Sequence, residues 1–294
     1  MLIYAVLINL NAVYLLNRAI ALITSRLTSV LMEDKKVHFL VAGVQKGGTT
    51  TLFSYLEEHP QLQMATRKET HFFDHEGTAV DWEGPDYGVY HALFDPWDGR
   101  LRGEATPVYI YWPPSLARIR RYRPEMRLIL LFRDPVARAW SHWQMEYERG
   151  LETMPFARAI REGRRRLLSH DHPKMPGYHR VFSYVERGMY GEQIERAYRL
   201  FPREQILPLL SQELNDDPQR VLGQVYRFLG VEDISAEQLH RRLNTARPFG
   251  YGRAIDAEDI RYLRAIFQKD TYLFGSLTGL DISAWIGGES STLA

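Results

Sequence analysis

Apolar and polar positions follow two patterns along this 294-residue chain: short unbroken apolar runs and longer stretches with helical spacing. Val37–Gly43 (V-H-F-L-V-A-G) is the first short run, closed by glycine, and its length and β-branched content predict a buried strand. Thr49–His59 then has helical spacing, and Pro60 ends it. Arg127–Phe132 (R-L-I-L-L-F) predicts a second buried strand, followed by a helix over Val136–Arg149. Gln205–Leu210 predicts a third, between helices near Gly191–Leu200 and Pro218–Leu229. Ile255–Phe274 is helical, and little pattern remains after Ala284. Strands alternating with helices predict an α/β fold whose parallel sheet is covered on both faces. No repeat or low-complexity linker divides the chain, so one domain is expected over 36–288, with a flexible tail at 289–294. Thr153–Tyr178, rich in Arg, Pro and His, is the candidate insertion or lid.

Ahead of that domain, Met1–Leu16 is almost wholly apolar, broken by Asn9 and Asn11, and Ala19–Leu31 continues more weakly. A spanning helix takes about 20 mostly apolar residues. Residues 1–35 are therefore expected to form a hydrophobic N-terminal helix, and three readings stay open for 1–31: contact with a membrane surface, a single anchor, or a packing helix. A basic start and a small-residue cleavage pattern are missing, unlike a signal peptide. Arg18, Arg26, Lys35 and Lys36 lie on its C-terminal side, so a spanning segment would keep the domain at the cytoplasmic face. A cytoplasmic location is expected either way.

Composition narrows the chemistry. With 45% hydrophobic and 25% charged residues the chain is neither disordered nor collagen-like. The absence of Cys excludes disulfides, thiolate metal sites and a cysteine nucleophile. Lys+Arg 37 against Asp+Glu 36 is too balanced for an obligate nucleic-acid binder. Lysine occupies only positions 35, 36, 46, 68, 174 and 269, and two of these fall in motifs.

After the first strand comes G-V-Q-K-G-G-T-T-T-L, from Gly43 to Leu52. A strand, a glycine-rich turn and a helix start make an anion cradle, with main-chain N–H groups and the helix dipole directed at the ligand. In a nucleotide triphosphatase the lysine follows the last glycine and precedes a magnesium-binding Ser/Thr. Here Thr49 follows Gly48, and Lys46 sits inside the loop, where it suits charge stabilisation on a leaving phosphate oxygen. The plainer alternative is an ordinary Gly-rich turn. Farther on, after one helix and a strand, K-E-T-H-F-F-D from Lys68 to Asp74 groups two carboxylates and an imidazole beside an aromatic pair. In an extended stretch Glu69, His71 and Phe73 share a face, so Glu69 and His71 are expected to enter a cleft together. Desolvation would raise the Glu69 pKa and suit it to accept a proton. Taken alone, an exposed Lys–Glu pair with a core histidine fits equally well. The strand at 127–132 runs into R-D-P-V-A-R-A-W-S, where Arg133 offers a planar fork for a phosphate and Ser141, eight residues on, a hydroxyl. The arginines at 118–127 and 158–166 read as solvated helix faces or as attractors of an acidic acceptor. Trp140, Trp143 and Tyr147 read as core or cleft wall.

These motifs together resemble those of the sulfotransferases that use 3′-phosphoadenosine 5′-phosphosulfate (PAPS), most of all the heparan sulfate N- and 3-O-sulfotransferase branch and its bacterial relatives. Lys46–Leu52 is similar to the family's 5′-phosphosulfate loop. Lys68–Asp74 resembles its K-E-P-H-F-F-D block, with Thr70 for Pro, and Arg133–Ser141 fills every fixed position of R-(D/N)-P-x-x-R-A-x-S. Weaker matches are Glu104–Tyr109 to E-K-(T/S)-P-x-Y, with Ala105 for Lys, and Tyr251-Gly252-Arg253 to the K-G-R turn, with Tyr for Lys. The resemblance runs from about Val37 to Trp285. It implies an α/β, P-loop-like three-layer fold with a central, mostly parallel sheet flanked by helices. It also implies metal-free transfer of a sulfuryl group from PAPS to a hydroxyl or amine of a saccharide or other small molecule. The roles it implies are Glu69 as base, His71 in support and Lys46 at the leaving group. The donor would be held by Lys46, Gly47, Gly48, Thr49, Thr50, Thr51, Arg133, Ser141, Gly252 and Arg253, while Lys68, Thr106 and Pro107 would face the acceptor. A P-loop kinase using ATP and magnesium, and a non-catalytic nucleotide- or glycan-binding relative, are the rival readings.

Overall fold

Five parallel strands in the order β2-β3-β1-β4-β5 organise the chain, whose computed structural model describes residues 36–76, 80–168, 178–235 and 254–286. Val37–Asp95 and the described residues from Arg100 onward form the main body. β1 (Phe39–Gly43) leads through a glycine-rich loop into α1 (Thr49–Glu58), and β2 (Leu62–Met64) follows. A short helix α2 (Tyr87–His91) precedes β3 (Leu101–Ala105). Next come α3 (Pro113–Tyr122), β4 (Arg127–Phe132) and α4 (Pro135–Glu148). α5 (Phe156–Leu168), α6 (Tyr178–Phe182) and α7 (Tyr190–Leu200) lead to β5 (Ile206–Leu210). α8 (Ser211–Asp216), α9 (Pro218–Leu229), α10 (Ala257–Thr278) and α11 (Ser283–Ile286) complete the described elements.

Alternation along the strands creates the layers. β1 sends Leu40 and Ala42 to one face and Phe39 and Val41 to the other, while β4 sends Leu128, Leu130 and Phe132 one way and Ile129 and Leu131 the opposite way. The first face is covered by Leu116 and Ile119 of α3, Ile194 of α7 and Phe274 of α10. Leu52 and Leu56 of α1 with Val221, Leu222 and Val225 of α9 cover the second. Each fully buried aliphatic side chain contributes about 1.5–3 kcal/mol relative to exposure, and strands buried on both faces show it as continuous apolar runs. That is why β1, β4 and β5 could be read from the chain. β3 could not, because Arg102 and Glu104 lie inside it. Both are buried: Arg102 Nε donates to Gln63 Oε1 at 2.7 Å, and Glu104 Oε2 accepts from Thr106 at 2.7 Å.

Within the candidate insertion or lid, Phe156–Leu168 form a packed helix, and residues 169–177 lie outside the described residues. Phe156, Ala159 and Ile160 of α5 join Val136, Trp140 and Trp143 of α4 and Leu263 and Phe267 of α10 in a third apolar cluster. Trp140 and Trp143 stack at 5.0 Å, as core and not as a ligand box. The arginines of α5 are taken up by carboxylates: Arg158 with Glu162, Arg161 with Asp259, Arg164 with Glu186 and Arg166 with Glu152. Those of α3 hold carbonyls instead, Arg118 those of Phe73 and His75 and Arg121 those of Trp82 and Glu83. Residues 1–35, with the membrane reading of 1–31, and the tail at 289–294 lie outside the described residues. Among the described residues no helix is long and apolar enough to cross a membrane.

Phe39 sits directly opposite Gly103 in the β1–β3 pair, and a Cβ on Gly103 would come within 2.1 Å of the Phe39 ring. Gly103→Ala is expected to destabilise the protein by about 1–3 kcal/mol, the cost of overpacking, and Phe39→Leu in the same chain to return part of it. Urea denaturation of the single and double variants checks this.

Candidate active site

Four segments of interest all leave the C-terminal ends of parallel strands. The Lys46 loop follows β1, Lys68–Asp74 follows β2, Thr106–Tyr109 follows β3, and Arg133 follows β4. The strand order reverses about β1, and in open parallel sheets such a switch point opens the crevice that takes a ligand.

The cradle begins where Val44 N–H donates to Leu131 O (3.0 Å), which ties the loop to β4. A Cβ at Gly47 would fall 2.2 Å from that same Leu131 oxygen, so only glycine lets the turn pass so close. Gly48 caps α1 with no side-chain hydrogen bond, and the first helical bond is Leu52 N–H to Gly48 O. The N–H groups of Thr49, Thr50 and Thr51 therefore precede the ladder and face an approaching anion. The N-terminus of α4 is different. Asp134 Oδ1 accepts from Val136 N–H (2.8 Å) and Ala137 N–H (3.0 Å), and Asp134 is itself paired with Arg264. An anion beside α4 must therefore be held by side chains. Arg133 leaves the end of β4 just before the Asp134 cap, while Ala137 and Ser141, four residues apart in α4, share a face of the helix. Arg138, the other arginine of the motif, is fully buried against Tyr184 O and plays a packing part.

Lys46 and Arg133 feel each other. Burial holds the Lys46 ammonium below its usual pKa, and Arg133 and Arg149 lower it further, against Glu148 and Glu146. Burial likewise depresses Arg133. Among the described residues neither forms an ion pair within 4.0 Å, and the Lys46 ammonium has only Met145 Sδ at 3.9 Å. Two partly desolvated cations that repel one another at a helix N-terminus favour a ligand carrying negative charge at both places.

Glu69 and His71 do meet, with His71 Nε2 3.2 Å from Glu69 Oε2, but an extended strand does not bring them together. The chain turns left-handed at His71 (φ 54°), and Phe72 and Phe73 both enter the aromatic core with Tyr90 and Tyr109. Lys46 (φ 68°) and His71 are the two non-glycine residues with positive φ among the described residues, the kind of local strain that concentrates at functional sites. The segment is held from beneath by two hydroxyls. Thr106 Oγ1 accepts from Thr70 N–H (3.0 Å) and His71 N–H (3.5 Å) and donates to Glu104 Oε2 (2.7 Å). Tyr109 OH accepts from Phe72 N–H (3.2 Å) and Phe73 N–H (3.4 Å). Four successive amides with no ladder are thus satisfied by two side chains.

That arrangement corrects two expectations. Thr106 and Pro107 are buried, and the Thr106 hydroxyl is occupied beneath the segment, so neither side chain is presented to an acceptor. Burial does push Glu69 upward, but hydrogen bonding from His71 and the charge of Lys68, 3.2 Å away, outweigh it, and the carboxyl ends below its usual value. His71 rises to about 9, through hydrogen bonds to Asp74 first and Glu69 second. Asp74, fully buried, accepts from His71 Nδ1 at 3.0 Å and pairs with Arg180 of α6 at 2.5 Å. Its part was signalled only by its place three residues after His71, and that of Arg180 by nothing local. Burial lifts the Glu104 carboxyl to about 7, against the hydrogen bonds from Thr106 and Tyr109. Gly252 and Arg253 lie outside the described residues. Among the described residues no cluster of side chains suits a metal ion.

The described residues define a parallel-sheet α/β protein that carries, at the C-terminal ends of its strands, a glycine-rich loop with two partly buried cations and a carboxylate–imidazole pair. The sulfotransferase domain family matches residues 36–247, and the chain belongs to it. Human heparan sulfate glucosamine 3-O-sulfotransferase 3A1 is 28% identical over 269 residues, 84% of this chain and 62% of its own. The mouse heparan sulfate glucosamine 3-O-sulfotransferase 6 is 30% identical over 212 residues, 71% of this chain and 56% of its own. The chain thus spans less than two thirds of the length of these curated relatives. Among solved structures, a sulfotransferase from Alicyclobacillus acidocaldarius superposes with a TM-score of 0.70 at 27% identity, covering 85% of this chain and 98% of that one. A mouse sulfotransferase complexed with PAP shares the fold, with a TM-score of 0.52 at 14% identity over 83% of this chain and 88% of that one.

Thr106→Val removes the hydroxyl but not the groups it serves, and is expected to cost about 2 kcal/mol, whereas Thr106→Ser stays near the parent. Chemical denaturation measures both. His71, raised in the folded state, contributes stability that is full below its unfolded pKa near 6.5 and is lost as pH rises through about 9. Its side chain is 45% exposed, so solvent screening trims the contribution to about 1 kcal/mol. Stability followed from pH 6 to 10 should fall by that amount, and His71→Gln should flatten the fall.

Proposed function

We propose that this protein transfers a sulfuryl group from 3′-phosphoadenosine 5′-phosphosulfate to a hydroxyl or amine of a saccharide or other small-molecule acceptor. The observation that carries the reading is the pair Lys46 and Arg133, two mutually repelling cations without ion-pair partners among the described residues, at the ends of adjacent strands. PAPS brings negative charge at two separated places, one for each cation. The Gly47–Thr51 amides and Lys46 would hold the 5′-phosphosulfate, and Arg133 with Ser141 the 3′-phosphate that ATP lacks. The saccharide class of acceptor is supported by the names of the curated relatives.

In the reaction the acceptor oxygen or nitrogen bonds to sulfur as the bond from sulfur to the bridging phosphate oxygen breaks. The acceptor proton passes to Glu69, and the electron pair leaves with adenosine 3′,5′-bisphosphate. Glu69 is ionised at neutral pH because His71 and Lys68 stabilise its charged form, so it is ready to receive that proton. The acceptor hydroxyl becomes acidic only as it bonds to sulfur, which allows a base of modest strength to serve. Lys46 offsets the charge growing on the leaving oxygen, and positioning supplies much of the rest.

Glu69→Ala is expected to cut turnover by a factor on the order of 10²–10⁴ and leave donor affinity in place. Arg133→Ala should weaken adenosine 3′,5′-bisphosphate binding by about 1.5–3 kcal/mol in calorimetry, as for hydrogen bonds to a charged group. The experiment that decides the reading incubates the protein with labelled donor and candidate acceptors and looks for products heavier by one SO₃. A thermal shift with ATP-magnesium and none with the bisphosphate would overturn it in favour of a kinase. Binding of the bisphosphate with no transfer to any acceptor would mark a non-catalytic relative.

A further inference from the structure

Arg180 comes from α6, far along the chain, yet it makes three contacts with the acid–base segment. Its Nη1 lies 2.5 Å from Asp74 Oδ2 and 3.4 Å from His71 Nδ1, and its Nη2 donates to Asp74 O at 2.9 Å. The main chain of Arg180 is held as well. Its carbonyl accepts from His142 Nε2 (3.3 Å) and Arg187 Nη2 (3.4 Å). Burial keeps His142 neutral, and it is the residue after Ser141 on α4. One arginine is thus anchored by the helix expected to hold the 3′-phosphate while its guanidinium grips Asp74 and reaches His71, the partner of the group expected to take the proton.

We infer that Arg180 is a positioning residue for the reaction: it locks Asp74, and through Asp74 sets the orientation and proton content of His71 against Glu69. The inference rests on the proposed function for its catalytic half. Most exposed arginine–carboxylate pairs count for little, but Asp74 has no exposure, so removing its partner strands a buried charge. His71 Nδ1 sits within reach of an acceptor and a donor at once. Protonated, it donates to Asp74 at 3.0 Å; bare, it accepts from Arg180 Nη1. The guanidinium therefore gives the imidazole a satisfied state after its Nδ1 proton has gone, and its charge opposes the fully protonated ring. The charged groups around His71 are Glu69 and Asp74 in its own segment and Arg180 from α6. Lys68 stands beyond Glu69, and Arg118 of α3 and Glu104 of β3 lie within electrostatic reach of Asp74.

The test compares the full-length protein with Arg180→Ala, Arg180→Gln and Arg180→Lys, using the His71 imidazole titration by NMR, kcat and KM for sulfuryl transfer, and bisphosphate affinity. The expected result is a His71 midpoint higher by half a pH unit or more in the Ala and Gln variants. Turnover should fall tenfold or more with bisphosphate affinity within twofold, and Lys should restore part of both. An unmoved His71 midpoint overturns the inference, even if turnover falls. A moved midpoint with turnover within twofold overturns it too. If the parent transfers nothing, the proposed function and the catalytic half of the inference fall together, while the titration still decides whether Arg180 governs His71. Should Ala prove too unstable to measure, Gln and Lys carry the same comparison.

Discussion

The parallel pairing of β1 with β4 is the constraint from which the site follows. It sets Phe39 beside Arg127 and Gly43 beside Leu130, so the loop after one strand and the arginine after the other emerge next to each other. The tie is tightened where Val44 donates to Leu131 O and where Gly47 passes that oxygen too closely for any side chain. A helix then starts at each strand's end, but the two starts are used differently. α1 keeps its first amides uncapped by a side chain, whereas α4 spends its own on Asp134. The result is one helix start with its amides uncapped by a side chain and another closed by its own carboxylate, with Lys46 and Arg133 beside them within electrostatic reach of each other.

The arginines of the outer helices are largely matched by partners of their own. The arginines of α5 find carboxylates and those of α3 find carbonyls. Even Lys68, next to the expected base, is paired with it. Lys46 and Arg133 are partly buried without ion pairs among the described residues, and the charge of Arg133 adds to the burial that lowers Lys46.

How much of this was legible in the chain depends on whether the cause was local. Continuous apolar runs disclosed β1, β4 and β5 because each is buried on both sides of the sheet. The cradle, Arg133 and the Glu69–His71 segment were legible because short spacings set their chemistry. β3 was hidden because its buried Arg102 and Glu104 are satisfied by partners from other segments, Gln63 and Tyr90 among them. The inward turn of Thr106 is not legible either, because a motif tells which hydroxyl is present and not which way it points. The Glu69 shift was misjudged in sign for the same reason: burial was foreseen, but the imidazolium 3.2 Å away was not. Arg180 left no trace at all, since only the fold brings it to Asp74.

The left-handed turn at His71 shows how those hidden contacts matter more than the motif itself. An L residue at φ 54° is held there against its own preference, so the surroundings must impose the conformation. Thr106 takes the amides on one side of the turn and Tyr109 those on the other, while Phe72 and Phe73 pin the chain into the core below. With the backbone held at four consecutive amides, the imidazole has little freedom except in its protons. Those are shared between a carboxylate on each ring nitrogen and a guanidinium near one of them. The backbone is thus settled by neutral hydroxyls and apolar packing, and the charged partners act on the imidazole itself, its orientation and its protons. A site built this way can shift its proton without shifting its backbone, which is what the proposed in-line transfer would ask of a positioned base.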